Sequence, residues 1–116
     1  MSSLSLIKIE PSIQANASII WLHGLGASGD DFASLPQELN LPEQAAIRFV
    51  FPNAPEIPVT VNANYVMPAW YDILALTEER EINERHLLES VDQIHQLIQR
   101  ELDSGIASER IIIAGF

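Results

Sequence analysis

The stretch His23-Gly24-Leu25-Gly26-Ala27-Ser28-Gly29, followed by Asp30 and Asp31, carries the most chemical meaning in this chain. Its three glycines leave the backbone free to turn and to aim N–H groups at an anion. Two chemistries use such a loop. Gly24, Gly26 and Gly29 match the G-x-G-x-x-G fingerprint that cradles a dinucleotide pyrophosphate where a strand turns into a helix. That fingerprint needs a carboxylate about 20 positions further on, at the end of the next strand. Pro52 and Asn53 stand there instead, and His23 is unusual directly before the first glycine. A nucleotide-binding half-domain using Gly24–Gly29 is therefore an alternative and not the leading reading. In the second chemistry, a loop opening with His-Gly after an early parallel strand lends one backbone N–H to an oxyanion hole, and "LHGLG" suits that task. A tight turn that needs glycines for geometry alone explains the loop equally well.

A second signal is "RIIIAGF" at Arg110 to Phe116. Its apolar, β-branched run reads as a buried strand of a parallel sheet. Gly115-Phe116 supplies the first two residues of G-x-S-x-G, the turn that presents a nucleophilic serine. The serine would be the next residue. Other residues carry plainer readings. Ser28 and Asp30 are placed to cap a following helix. Asp72 reads as a turn or hydrogen-bond anchor. His95 reads as a partly buried helix-face residue and His86 as a solvated one. No pair of histidines has metal-ligand spacing, and the chain has no cysteine to form a thiolate zinc site or a disulfide.

These residues need a frame. Leu4 to Ile9 alternates apolar and polar positions, as a half-exposed strand does, and Pro11 ends it. Ser18 to Leu22 and Arg48 to Phe51 are short apolar runs expected to be buried strands. Asp30 to Leu39 is expected to form a short helix that Pro36 limits or bends. Pro52 to Asp72 reads as a long irregular loop, ordered by Tyr65, Met67, Trp70 and Tyr71. From Asn83 to Ser104 the period becomes helical: Leu87, Val91, Ile94, Ile98 and Leu102 recur at steps of three and four. Asn83 can cap that helix, Gly105 can end it, and Ile106 can pack back on its last turn. The Glu78–Glu84 cluster reads as a solvated approach to it. Strands alternating with helical connections imply a parallel α/β sheet in one domain.

Composition narrows the function classes. At 116 residues with 47% hydrophobic and 19% charged residues, the chain is globular in type. A net charge of −10 argues against a nucleic-acid partner and against anionic membranes. No apolar run reaches the roughly 18–20 residues of a membrane span, and no signal peptide is visible. The lack of cysteine fits a reducing compartment, and the expected location is cytoplasmic.

Together, "IIWLHGLGASGDDF", "FVFPNAPEIPVTVNANYVMPAWYDI" and "GIASERIIIAGF" resemble the amino-terminal half of the small carboxylesterases that include acyl-protein thioesterases and lysophospholipases. The resemblance implies an α/β-hydrolase fold, a mostly parallel sheet flanked by helices, incomplete in this chain. Residues 1–116 would be the N-terminal portion of a single domain, ending at the nucleophile elbow. The implied activity is hydrolysis of carboxylic esters or thioesters by a Ser-His-Asp triad, with no cofactor and no metal. The resemblance places the first oxyanion donor at the N–H of Leu25. It assigns His23, Gly24, Gly26, Met67 and Trp70 to substrate binding, with Trp70 as a wall of the acyl pocket. All three triad members are expected after Phe116, and none of Asp31, Asp72, His23, His86 or His95 replaces them. The segment alone is expected to be inactive and, with an unpaired central strand, unstable or prone to aggregate. The implied substrates are small-molecule or lipid acyl esters and thioesters of short to medium chain, or an acylated protein, and a homodimer is one expected arrangement. A non-catalytic fragment or pseudo-hydrolase that binds a partner or an acyl ligand is the other alternative.

Overall fold

The computed structural model describes residues 4–77 and 81–116. In chain order, β1 is Leu6–Ile9, β2 is Ala17–Leu22, and a 3-10 turn at Gly29–Phe32 leads to α1, Leu35–Leu39. Then come β3 (Ile47–Pro52), β4 (Glu56–Val59), β5 (Tyr65–Pro68), β6 (Ile73–Ala75), β7 (Glu81–Ile82), α2 (Glu84–Asp103) and β8 (Ile111–Gly115). The main sheet has the order β1-β3-β2-β8. Strands β3, β2 and β8 run parallel, and β1 joins β3 antiparallel.

The parallel strands are buried where both faces are covered. Ile20, Val50 and Leu97 form a core between sheet and α2, joined by Leu6, Leu22, Ile94, Ile98 and Ile111. Helix α2 has the expected boundaries because both ends are specified locally. The Asn83 side chain accepts the His86 N–H at 3.0 Å. At the other end Gly105 takes φ +102°, its N–H bonds to Leu102 O at 3.0 Å, and the Ile106 N–H reaches Glu101 O at 3.1 Å. That pairing is a Schellman stop, and buried Ile106 folds back onto the helix.

A buried polar network ties this helix end to the amino ends of the strands. The Glu101 carboxylate accepts the Arg48 guanidinium at 2.8 Å and the Ser18 hydroxyl. Arg48 also donates to Glu10 at 2.8 Å. Those carboxylates, the Glu10 hydrogen bond foremost, hold the Arg48 pKa above its ordinary value.

Four expectations need correction. Asp30 to Leu39 is not one helix: a 3-10 turn and a five-residue helix share it, with Pro36 in the first turn of α1 and Asn40 at φ +50° closing it. The stretch 52–72 is not irregular throughout. It holds the antiparallel hairpin β4–β5 and, in Val59 and Ala69, two members of a second small cluster completed by Ile73 just beyond it. The β-branched run of β8 reads as a buried strand, but β8 lies at the sheet edge with Ile112 56% exposed, in line with the expectation of an unpaired strand there. The two helix histidines are exchanged, His95 being exposed and His86 half-buried. Of the 78–84 cluster, Glu78 and Glu79 lie outside the described residues.

Candidate active site

The glycine loop leaves the carboxyl end of β2, where open parallel sheets place ligands. It is pinned along its length by the segment 53–70. At its start, His23 is buried, 2% exposed, and its Nε2 accepts the Ala54 N–H at 3.0 Å. Its Nδ1 lies 2.8 Å from Gly24 O. The His23 carbonyl accepts the indole N–H of Trp70 at 2.8 Å, and the two rings sit 5.2 Å apart. In the middle, the Gly26 N–H bonds to Pro68 O at 2.9 Å and the Ala27 N–H to Gly24 O at 3.2 Å. At the end, the Gly29 N–H donates to Asn53 Oδ1 at 2.7 Å. Ser28 is the N-cap of the 3-10 turn, as expected, in a capping box whose Asp31 Oδ2 accepts the Ser28 N–H at 2.9 Å, whereas Asp30 lies inside the turn and does not cap it.

Three glycines of the loop are required by geometry, and at Gly29 a Cβ would stand 2.5 Å from Phe51 O. Gly26 has φ +77°, a conformation that strains any side chain. A Cβ on Gly24 would stand 2.8 Å from Phe116 O, so the loop rests directly on the end of β8. Phe116 is itself tied back, its N–H bonding to Leu22 O at 3.1 Å.

Among the described residues, no acceptor engages the N–H of Leu25, while Gly26 and Ala27 on its carboxyl side are both bonded. A cavity of about 230 Å³ opens beside it, lined by Gly24, Leu25, Trp70, Tyr71 and Ile73. The loop therefore presents an unused donor at a concave surface against the tip of the strand that carries Gly115-Phe116. Donors fixed in advance near a reacting centre are what stabilises a developing oxyanion.

Of the residues named from sequence, Gly24, Leu25 and Trp70 meet at this cavity. His23, Gly26 and Met67 stand behind it. Both His23 ring nitrogens are spent on main-chain groups. Met67 packs with the Val59 cluster, its Sδ 3.8 Å from where a Gly26 Cβ would stand. Asn53, Ala54 and Ser90 escaped sequence reasoning. Ser90 on α2 donates its hydroxyl to Trp70 O, and it is buried. Only Asn53, next to a proline at a strand end, carried a local signal.

Asp72 anchors the segment that carries Trp70. Its carboxylate accepts both the Thr60 hydroxyl at 2.6 Å and the Thr60 N–H at 2.8 Å. Those two bonds, the hydroxyl first, hold its pKa below the usual carboxylate value. Its main-chain N–H donates to His86 Nδ1 at 3.1 Å and its carbonyl accepts the Asn83 N–H at 2.9 Å, which joins the Trp70 segment to the start of α2. The dinucleotide reading loses ground here. The loop enters a single 3-10 turn rather than a long helix, and Asn53 is occupied by Gly29.

A parallel sheet with an antiparallel leading strand, a glycine loop with a free donor at its carboxyl end and a Gly-Phe strand tip beside it define an α/β-hydrolase. The fold matches solved hydrolases. Arabidopsis thaliana SOBER1 superposes with a TM-score of 0.80 at 34% identity, over 88% of this chain and 50% of that one. Zea mays acyl-protein thioesterase 2 gives 0.78 at 26% identity, over 97% and 46%. In sequence, the chain is 43% identical over 115 residues to acyl-protein thioesterase 1 of Schizosaccharomyces pombe, covering 99% of this chain and 50% of that protein. Against the Saccharomyces cerevisiae acyl-protein thioesterase 1 it is 42% identical, covering 94% and 48%. The profile of the phospholipase/carboxylesterase family matches residues 6–116, and the chain belongs to that family. It spans about half the length of the relatives it matches.

Proposed function

We propose that this chain is the amino-terminal portion of a serine hydrolase that cleaves carboxylic esters or thioesters, with the Leu25 N–H as one oxyanion donor. The observation that carries the reading is that N–H, left unengaged on a loop pinned at His23, Gly26 and Gly29, over a cavity walled by Trp70. The β8 tip supplies the rest of the argument. A serine directly after Gly115-Phe116 would complete the nucleophile elbow beside Leu25, and its own neighbour would give the second donor. The histidine and aspartate of the triad would follow later in the chain, in the order that α/β-hydrolases use.

In this mechanism the serine attacks the acyl carbonyl, histidine moves the proton, and the negative oxygen settles against the two N–H groups. Residues 4–116 contribute the first donor, the loop that fixes it and the Trp70 wall. Relatives named acyl-protein thioesterases support an acyl ester or thioester substrate, lipid, small-molecule or protein-borne. No described helix is long and apolar enough to cross a membrane. We place the product in the cytoplasm. The test is to express the full product of the gene and assay p-nitrophenyl butyrate and an S-acyl thioester. Hydrolysis of either is expected, and a residue other than serine after Phe116 would overturn the proposal.

A further inference from the structure

We infer that His23 is the positioning residue that orients the oxyanion donor, and that it does so as one tautomer. The inference rests on the proposed role of Leu25. The Ala54 N–H can only donate, so His23 Nε2 must present a lone pair to it. In a neutral ring the proton then sits on Nδ1, and Nδ1–H donates to Gly24 O at 2.8 Å. This tautomer is assigned from the hydrogen-bond partners. Gly24 O and the Leu25 N–H belong to the same peptide unit. A trans peptide is planar, with its C=O and N–H pointing opposite ways. Fixing Gly24 O therefore fixes where the Leu25 N–H points.

The neighbouring peptide is held too. The carbonyl of His23 accepts the Trp70 indole N–H, and that ring covers the imidazole. The Ala27 N–H gives Gly24 O a second bond. Two successive peptide planes are thus locked before any substrate arrives. With a leucine at 23, Gly24 O would keep only the longer Ala27 bond, and the 24–25 plane would be held less tightly. Losing an oxyanion donor outright lowers kcat by about 100- to 1,000-fold, and a misdirected donor should lower it by about 10- to 100-fold.

Two measurements on the full gene product test this. A long-range proton–nitrogen NMR spectrum should show His23 protonated at Nδ1 and bare at Nε2 at neutral pH. The opposite tautomer, or a doubly protonated ring, overturns the inference whether or not the protein is an esterase. Kinetics on p-nitrophenyl butyrate supply the second readout. His23→Leu should lose about 10- to 100-fold in kcat while KM stays within about twofold. His23→Asn places an amide donor near the Nδ1 position and should recover part of that loss. Equal kcat for the two variants, or a change in KM alone, overturns it. If His23→Leu does not fold, His23→Gln takes its place: it offers an acceptor toward Ala54 but no donor toward Gly24 O, and should be slower than His23→Asn. Absence of any hydrolysis by the wild type would refute the proposed function instead, leaving the NMR result to decide the geometry.

Discussion

Replacing Arg48 by methionine should destabilise the protein without touching its site. The Glu101 carboxylate is 5% exposed, and its only charged partner among the described residues is Arg48, which is 16% exposed. Without Arg48, a buried carboxylate would keep one neutral hydrogen bond, from Ser18. Breaking a buried pair from one side costs about 3–5 kcal/mol, a large part of the roughly 5–15 kcal/mol that holds a domain folded. At an m-value of about 1.5 kcal/mol/M, a loss of about 3 kcal/mol moves the urea midpoint down by about 2 M. Glu101→Gln should cost less, because Arg48 retains Glu10 at 2.8 Å and some solvent. The double variant Arg48→Met, Glu101→Leu should recover about half of that loss or more, since a packed apolar pair needs no desolvation while the buried Ser18 hydroxyl is left without its acceptor. The assay is urea unfolding of the full gene product followed by far-UV circular dichroism, with esterase kinetics in parallel. A loss below about 1 kcal/mol for Arg48→Met at pH 7, or a double variant as weak as the single one, would refute the reasoning.

Three other outcomes follow from the geometry. Gly24→Ala puts a Cβ 2.8 Å from Phe116 O, so the loop must shift; stability should fall by about 1–3 kcal/mol and kcat more steeply than KM changes. The carboxylate of Asp72 has a depressed pKa when folded, so it adds stability above its unfolded pKa and loses it as pH falls through the folded value. Asp72→Asn should accordingly flatten the acid side of a thermal-stability profile, which a melting series from pH 7 to pH 3 would show. Asn83→Ala removes the cap of α2 and should cost about 1 kcal/mol in the same urea assay.

The elements legible in the sequence were those whose causes are local. The boundaries of α2 follow from its apolar period, Asn83 and Gly105, and β2 and β3 from short apolar runs. The glycine loop was legible as a type, because glycine spacing after a strand constrains the backbone directly. The hairpin β4–β5 was hidden by Pro55, Pro58 and Pro68, which argue against strands although an edge hairpin tolerates them. Burial is a property of neighbours, and that is why β8 misled: its isoleucines suit a covered strand, yet only β2 flanks it among the described residues. The histidines failed for a similar reason. The stripe on α2 gave no hint that the Asp72 main chain would reach His86. The supports of the site (Asn53 on Gly29, Ala54 on His23, Ser90 on Trp70) join residues 20 to 31 positions apart, and no local pattern records them.

The central claim is that the Leu25 loop serves a serine at the tip of β8, and covalent labelling addresses it most directly. The full gene product, treated with a fluorophosphonate probe and digested, should carry the label on a serine immediately after Gly115-Phe116, with loss of esterase activity in step with labelling. A protein that takes no label, or takes it at Ser18, Ser28 or Ser90, would contradict that claim.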